Sequence, residues 1–384
     1  MNSTTRTLQI VVKVSKFCNL RCKYCYEYPE LGNRAAMSLS QLTAMYRNLH
    51  DHFVAADERD GAHTALEFIW HGGEPLMQPV QFYRQTLADQ AEIFGSRLAI
   101  SNSVQTNLML LDDERRELLT DGFDTVGVSL DVVGGLRVNL AGRDSQQRVT
   151  ANLDALVAAG VPVGCISVLT AQNIHAVEEV FRFFESRNLN FRVLPLFDTG
   201  EPGQTTPFEV TMEQELTALA QLVDLWLTGN LQRPPAPLDN FVQIAARYLA
   251  DAQGPEYQDR REWLPVVLVN TDGSCFTYGE PYGEPDWSIG NIFTDPFAEM
   301  LSGEVFERCA VEAERRVARN CLSCQFFDVC GGSLLAETEA RERDEDGHGT
   351  LLCTGRPVIA YIAEQLRGRV PATVEQWRAT HANA

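Results

Sequence analysis

Strand-like and helix-like segments alternate through the first 200 of the 384 residues of this chain. The strand-like segments are short and rich in β-branched and aromatic residues, and the segments between them have apolar residues at helical spacing. The six predicted strands lie within 8–14, 65–75, 98–107, 125–131, 163–170 and 191–197. Such repeats predict an α/β fold in which a parallel sheet curls into a partial (β/α)6 TIM-like barrel.

The composition changes after the sixth predicted strand. Residues 198–211 are rich in Gly, Pro and Thr, which is typical of a linker, and two helices are predicted at 213–229 and 238–252. From about residue 262 the pattern indicates short strands and turns with cysteines, followed by a last helix at 356–367. The predicted division is a barrel at 1–200, a linker with bridging helices at 201–260 and a small α+β domain at 261–384.

The chain has ten cysteines, and seven of them form two groups, one towards each end of the chain. The first group, CNLRCKYC, places Cys18, Cys22 and Cys25 directly after the first strand. Three thiols this close can bind three corners of one iron–sulfur cubane and leave its fourth iron open. A structural zinc ion would need a fourth ligand, and no His or Cys follows nearby. The spacing therefore predicts a [4Fe–4S] cluster with a free coordination position.

The second group has four thiols with the pattern C-x2-C-x5-C and a further cysteine after a gap of 22 residues. Its members are Cys321, Cys324, Cys330 and Cys353. Four thiols can close a complete metal site. A zinc ribbon is the competing interpretation, although zinc ribbons normally pair two C-x2-C units and only one is present here.

The first group resembles the cluster motif of the radical S-adenosylmethionine (SAM) superfamily, with an aromatic residue, Tyr24, before the last cysteine. The sequence HGGEP at 71–75 is similar to the GGE motif of that superfamily. The resemblance implies that SAM binds the open iron and is reductively cleaved to methionine and a 5′-deoxyadenosyl radical. It also implies that Tyr24 belongs to the cofactor site and that backbone atoms of Gly73 and Glu74 meet the SAM amino group.

The resemblance extends to the sequence SLD at the end of the fourth predicted strand. Ser129 would contact the ribose or the carboxylate of SAM. Superfamily members usually pair the SAM carboxylate with a downstream arginine, for which a planar guanidinium is well suited. Arg148 aligns best with this pattern. Arg137 and Arg143 are rivals, because the intervening segment departs from the usual form.

Two further residues near these motifs have open assignments. His71 precedes the two glycines at a position where a related family places a substrate-contacting side chain. An equal alternative is a structural histidine that lies beneath the turn and forms its hydrogen bonds within the protein. Asn107 ends the third predicted strand and is expected to be mainly structural.

The second cysteine group resembles the auxiliary-cluster half of a SPASM domain, most closely in the FxsB-like branch of peptide-modifying proteins. A full SPASM domain has seven cysteines and usually two auxiliary clusters. Here Leu334 stands where a cysteine would follow Cys330 by four residues, Cys275 is out of register, and Cys309 is isolated. One auxiliary [4Fe–4S] cluster is therefore expected, and a second one that uses Cys275 and Cys309 is left open.

The resemblance implies an enzyme that abstracts hydrogen from a ribosomally made precursor peptide, with an external electron donor of the flavodoxin or ferredoxin type. An oxidative crosslink, such as a cyclophane, is the favoured outcome. A sulfatase-maturing, formylglycine-forming enzyme is the first alternative, weakened because Phe276 follows Cys275 where that family carries an aspartate. A non-enzymatic iron–sulfur or zinc scaffold is the second, and it leaves HGGEP without a purpose. No residue is assigned as the general base.

The net charge of −20 argues against a nucleic-acid partner, because phosphate binding needs a basic surface. The longest apolar runs, such as 10–12 and 265–269, are far too short to span a membrane. The N-terminal residues show no signal-peptide pattern, so a cytoplasmic location is expected. Because the first strand begins near residue 8, no peptide-recognition domain is expected before the barrel.

Overall fold

The computed structural model describes residues 5–196, 203–338 and 351–367. Its strands form one sheet in the order β6-β5-β4-β3-β2-β1-β7-β8-β9. The strands are Thr5–Ser15 (β1), His63–Gly72 (β2), Ala99–Thr106 (β3), Thr125–Ser129 (β4), Val163–Leu169 (β5), Asn190–Pro195 (β6), Val266–Val269 (β7), Ser274–Thr277 (β8) and Gly290–Asn291 (β9). Strands β1 to β6 are parallel and neighbour one another in chain order. The expected α/β fold with a partial six-stranded barrel is confirmed.

Helices connect the parallel strands. The helices are Leu39–Asp60 (α1), Val80–Phe94 (α2), Asp113–Asp121 (α3), Gln146–Ala158 (α4), Val177–Glu185 (α5), Met212–Thr228 (α6), Leu238–Leu249 (α7), Phe297–Leu301 (α8), Glu304–Asn320 (α9), Phe327–Cys330 (α10), Ser333–Ala336 (α11) and Gly355–Arg367 (α12). Helix α1 begins with a capping box between Ser38 and Gln41 and ends at Gly61 in the left-handed conformation. Across the described ranges, no helix has both the length and the apolar character needed to cross a membrane.

The core lies between the sheet and these helices. Alternate residues of the strands, such as Ile10 and Val12 in β1 and Phe68 and Trp70 in β2, are completely buried. Burial of each such side chain is worth about 1.5–3 kcal/mol. The residues between them face the interior of the barrel, where β3 to β6 present partly exposed positions. The barrel interior is therefore open to ligands.

The sheet continues from the barrel into the C-terminal part of the chain. Strand β7 pairs in parallel with β1, and β8 and β9 extend the sheet in antiparallel fashion. Sheet pairing thus joins residues on the two sides of the predicted boundary at 260/261. The predicted boundary at 200/201 lies outside the described residues. The last predicted strand residue, Phe197, and the linker residues 198–202 also lie outside them. The three-part division of the chain stays a prediction.

The short strands expected after residue 262 are present as β7, β8 and β9, but this region also has helices that the sequence analysis did not predict. This region contains α9, a helix of 17 residues. Its buried residues Phe306, Ala310, Ala313 and Val317 recur at intervals of three or four, which is the helical period. Cys309 lies on the same buried face of the helix.

Candidate active site

A cavity of about 180 Å³ lies at the carboxyl ends of the parallel strands, where ligands usually bind in such sheets. We call it the barrel cavity. It brings together seven of the residues that the sequence predicted to bind a cluster or SAM. They are Cys18, Cys22, Tyr24, Cys25, Gly73, Glu74 and Ser129.

Close approach between two backbone segments explains the paired glycines. Gly72 has a φ of +121°, and a Cβ atom there would lie 2.2 Å from the carbonyl oxygen of Ser15. A Cβ atom on Gly73 would lie 2.3 Å from the carbonyl oxygen of Lys16. The amide of Gly73 donates to the Ser15 carbonyl at 2.8 Å. Only glycine lets this turn pack directly against the backbone that leads into the first cysteines.

The carboxylate of Glu74 is buried and occupied by the chain itself. Its Oε1 accepts hydrogen bonds from the Leu76 amide at 2.9 Å and the Thr106 hydroxyl at 2.7 Å, and its Oε2 accepts one from the Asn107 amide at 2.7 Å. Burial raises the pKa of this carboxyl group. The side chain therefore fastens the glycine turn to the end of β3.

Asn107 lies beside the first cysteine. Its side-chain amide donates to Asn19 Oδ1 at 2.7 Å and lies 3.6 Å from Cys18 Sγ. The Leu20 amide donates to the same sulfur at 3.3 Å. Donors around a ligand sulfur orient it and stabilise its thiolate form. Asn107 thus contacts the segment that begins at Cys18, and its turn motif alone did not predict this contact.

Tyr24 takes part in a buried polar network. Its hydroxyl donates to an Asp131 carboxylate oxygen and accepts a hydrogen bond from Arg137 Nη1 at 3.0 Å. The other Asp131 oxygen accepts from the Val168 amide at 2.9 Å. Burial raises the pKa values of Tyr24 and Asp131. Within the described ranges the Nε of Arg137 is buried without a hydrogen-bond partner, so one donor of this guanidinium is unused.

The structure brings Arg137, and not Arg148, to the barrel cavity. Arg137 lines the cavity, whereas Arg148 and Arg143 are exposed. The loop after β4 returns to the cysteine segment, where the Lys23 amide donates to the Leu136 carbonyl at 3.0 Å. This loop closure places Arg137 next to the cysteines, and no sequence spacing could reveal it.

A buried ion pair borders the cavity beside β1. Lys13 forms this pair with Glu27, donates to the Tyr26 hydroxyl at 2.9 Å and lies 3.8 Å from the ring centroid of Tyr282. Burial alone would lower the pKa of Lys13, but the charges of Glu27 and Tyr282 raise it. The ion pair connects β1 to the segment after Cys25, and the contact with Tyr282 connects β1 to the C-terminal part of the chain.

Substituting Lys13 is expected to lower the free energy of unfolding of the protein. Lys13→Met leaves Glu27, whose side chain is 16% exposed, without its counter-charge, which costs about 3–5 kcal/mol of unfolding free energy. Thermal unfolding would measure this. Lys16→Met is the matched control, because the Lys16–Glu30 pair is 26% and 43% exposed and is worth less than about 1 kcal/mol. Equal losses in both variants would contradict a buried ion pair.

His71 is a neutral hydrogen-bonding group of the cavity wall. Its Nδ1 accepts a hydrogen bond from the Gly72 amide at 2.8 Å, which places the proton of the neutral ring on Nε2. Burial and the charge of Lys13 lower the pKa of His71 to about 4. His71 therefore carries no charge near neutral pH.

The second cysteine group lines a separate cavity of about 340 Å³, which we call the auxiliary cavity. Its thiols belong to Cys321, Cys324, Cys330 and Cys353. Burial, followed by repulsion from the other three thiolates, raises the pKa of Cys321 to about 12. In the described ranges, no three His, Cys, Asp or Glu side chains converge on a point where one metal ion would bind. Each thiolate of a cubane binds a different iron, so cysteines spread around a cavity fit a [4Fe–4S] cluster at both sites.

A buried ionic network braces the chain beside the auxiliary cavity. Glu280 accepts hydrogen bonds from Arg260 at 3.3 Å and from Arg316 of α9 at 2.6 Å. Cys275 and Cys309 are completely buried in the main core close to this network, and Arg260 donates to the Cys309 carbonyl at 3.5 Å. The single auxiliary cluster stays a prediction, and a second one that uses Cys275 and Cys309 stays an open alternative.

Comparisons with known proteins agree with this architecture. The family model of the radical SAM superfamily matches residues 12–184. A serine-type anaerobic sulfatase-maturating enzyme of Klebsiella aerogenes is 36% identical over 331 residues, which cover 84% of this chain and 78% of that protein. The enzyme of the same name from Bacteroides thetaiotaomicron is 25% identical over 376 residues, which cover 91% and 88%.

Two solved structures share the fold. The structure of native anSMEcpe with bound AdoMet and Cp18Cys peptide has a TM-score of 0.73 and 19% identity, and the match covers 96% of this chain and 99% of that one. Streptococcus suis SuiB bound to precursor peptide SuiA has a TM-score of 0.57 and 16% identity, with coverage of 90% and 76%. Both likenesses extend over the barrel and the C-terminal part of the chain.

Proposed function

Because the chain belongs to the radical SAM superfamily, we propose that it is a peptide maturase that oxidises a residue of a ribosomally made peptide. The observation that carries this proposal is the barrel cavity, in which three cysteines and the glycine turn meet beside an open barrel interior. When a [4Fe–4S] cluster and SAM are bound, one-electron reduction of SAM supplies a 5′-deoxyadenosyl radical that abstracts hydrogen. The chain itself orients SAM and the peptide.

Cys18, Cys22 and Cys25 are the proposed ligands of the SAM-binding cluster. The hydrogen bond from Leu20 and the neighbouring amide of Asn107 support this role for Cys18, because such donors favour a thiolate. The fourth iron position then stays available to SAM.

Arg137 is the proposed partner of the SAM carboxylate, in place of Arg148. Its unused Nε donor and its position in the cavity wall support this assignment, together with Ser129 across the cavity. A guanidinium offers parallel donors that match a carboxylate. Backbone atoms of Gly73 and Glu74 would meet the SAM amino group, since the Glu74 carboxylate is already occupied.

Substituting Arg137 is expected to weaken SAM binding. Arg137→Lys keeps the charge but loses the planar fork, so the KM for SAM in 5′-deoxyadenosine formation should rise about tenfold or more. Arg148→Lys, the matched control, should leave the KM within about twofold, because Arg148 is exposed outside the cavity. A larger effect at Arg148 than at Arg137 would reverse the assignment.

Several relatives of this chain are named as serine-type or cysteine-type anaerobic sulfatase-maturating enzymes. They support conversion of a Ser or Cys side chain to an aldehyde as the first candidate reaction. For a serine, the Cβ loses one hydrogen atom to the 5′-deoxyadenosyl radical. One further electron leaves through the auxiliary site and the hydroxyl proton goes to solvent, which completes a two-electron oxidation. The substrate in this proposal is a peptide of a precursor protein.

An oxidative crosslink within a precursor peptide is the second candidate. Phe276, which is 2% exposed, follows Cys275 at the position where sulfatase-type enzymes are expected to carry an aspartate. This difference favours a product other than formylglycine.

Anaerobic assays with a panel of synthetic peptides that contain Ser, Cys and aromatic residues would test the proposal. Each peptide is incubated with reconstituted protein, SAM and dithionite, and 5′-deoxyadenosine and the peptide mass are measured. Loss of two hydrogen atoms is expected from Ser oxidation and from a crosslink, and only the aldehyde reacts with a hydrazide probe. Absence of 5′-deoxyadenosine in every assay would refute the proposal.

The auxiliary cysteines and an external protein complete the proposed electron path. Cys321, Cys324, Cys330 and Cys353 would hold one auxiliary [4Fe–4S] cluster that accepts the electron released by the substrate. A flavodoxin- or ferredoxin-like donor would reduce the SAM-binding cluster. A cytoplasmic location suits a thiol-rich protein that needs a reducing environment.

A further inference from the structure

A second cavity, of about 350 Å³, lies inside the barrel beneath the barrel cavity. We call it the floor cavity. Three adjacent strands each contribute one residue to the barrel cavity and the residue two positions earlier to the floor cavity. These pairs are Ser129 with Gly127, Ile166 with Gly164, and Leu194 with Arg192. Residues two apart on a strand are about 6.6 Å apart, so the floor cavity lies one side-chain layer deeper in the barrel.

The two cavities adjoin. On the β4 side, the side chain of Gln105 covers Gly127 and donates to the Ser129 hydroxyl at 2.8 Å, so the space that connects the cavities lies on the β5 side. Gln105 and Ile166 border both cavities. Gly127 and Gly164 contribute no side chains to the inner faces of β4 and β5. A Cβ atom on Gly164 would meet no atom within 4 Å, so this part of the barrel is unfilled. An extended peptide segment could reach from one cavity into the other.

The floor cavity has a positive charge that the surrounding chain does not neutralise. Arg192 and Arg233 line it, and neither forms an ion pair with any residue that the structure describes. Asp239 also lines the cavity but forms no ion pair with either arginine. The Ala236 amide donates to the Phe191 carbonyl at 3.0 Å, which holds the segment after Arg233 against β6. Arg192 and Arg233 are exposed, and two guanidinium groups without an ion pair among the described residues would attract an anionic group.

We propose that the floor cavity binds a carboxylate side chain of the substrate peptide, two residues away from the residue that is oxidised. This inference rests on the proposed function, which places the reacting residue in the barrel cavity. In an extended peptide, side chains two residues apart point to the same side and are about 6.6 Å apart, which matches the offset of the cavities. The fork of donors on each arginine fits a carboxylate.

Peptide binding tests this specificity separately from turnover. The probes are fluorescent peptides with one central Ser in neutral Ala and Gly flanks, and with Glu, Gln or Lys two residues before or after it. Binding to the cluster-loaded protein with SAM and without reductant is followed by fluorescence anisotropy. In one of the two directions, the Glu peptide is expected to bind about tenfold more tightly than the Gln peptide. The Lys peptide should bind least.

Two variants connect the preference to the floor cavity. The double variant R192E/R233E should reverse it in favour of the Lys peptide. Gly164→Leu should remove the preference by filling the cavity, and it requires no strained backbone because the φ of Gly164 is not positive. Arg116→Glu on α3 reverses one charge at an exposed site that lines neither cavity, so it should keep the preference for Glu.

Each outcome decides the proposal. Equal affinities for the three peptides, no detectable binding, or a preference for Glu that survives R192E/R233E would overturn it. Formation of 5′-deoxyadenosine by the same protein preparation with SAM and added dithionite reports on the proposed function. If wild type fails in that assay, the proposed function fails. If wild type makes 5′-deoxyadenosine but does not discriminate between the peptides, only the floor-cavity assignment fails.

Discussion

Cys22→Ala is expected to lower the rate of 5′-deoxyadenosine formation by a factor of about a thousand or more, equivalent to about 4 kcal/mol of transition-state stabilisation. Cys22 is 8% exposed and lines the barrel cavity with Cys18 and Cys25. With one thiolate missing, the cluster would lose one of its three proposed protein ligands, and its release or displacement would remove the site to which SAM binds. Anaerobic assay with dithionite, together with iron and sulfide analysis, would measure both losses.

Cys309→Ala provides the matched control. It removes a thiol that is also buried, but from the main core on α9 and away from the barrel cavity. SAM cleavage by this variant should remain within about twofold of wild type, at a stability cost of about 1 kcal/mol. If Cys22→Ala cleaved SAM as fast as Cys309→Ala, Cys22 could not be a ligand of the reactive cluster.

Much of the barrel could be predicted because its signals are local. The β-branched runs and helical spacing predicted the six strands of the barrel, β1 to β6, and the motifs at Cys18–Cys25 and HGGEP indicated the superfamily. Both motifs lie directly after a strand, so the carboxyl-end geometry of parallel strands brings them together once the fold is known. A short motif at a strand end therefore carries three-dimensional information.

The residues that sequence reasoning ranked lower or missed depend on loop conformation. Arg148 matched the family spacing, yet the loop after β4 folds back and brings Arg137 to the cavity. The sequence analysis did not single out Lys13, because its partner Glu27 becomes a neighbour only when the segment after Cys25 folds over β1. Contacts of this kind depend on loop conformation, which has no periodicity in the sequence.

The C-terminal part was the hardest to predict, for a related reason. Its strands have two to four residues, too few for a clear alternation, and β7 joins the sheet beside β1, far away in sequence. The cysteine spacing nevertheless identified four thiols that line one cavity. Metal-site spacing is a short-range signal, whereas the pairing of β7 with β1 is a long-range one.

Removing the auxiliary thiols is expected to separate two activities. The double variant C321A/C324A deletes two of the four thiols that line the auxiliary cavity and leaves the barrel cavity intact. It should keep about wild-type rates of 5′-deoxyadenosine formation without peptide and lose roughly half of its iron, because one of two four-iron clusters is missing. Oxidation of a peptide substrate should fall about a hundredfold or more, because the substrate electron loses its acceptor.

The comparison between the two activities distinguishes an electron acceptor from a structural brace. Cys321 follows α9, which the Arg316–Glu280 ion pair anchors independently of any metal, so the fold around the cavity should persist without the cluster. Circular dichroism and the thermal unfolding midpoint would verify this. Glu280→Gln, the companion variant, weakens the brace but keeps all four thiols. It should lower the unfolding midpoint and retain peptide oxidation in proportion to its iron content. If C321A/C324A oxidised the peptide at the wild-type rate while folded, the auxiliary cluster would have no part in the reaction.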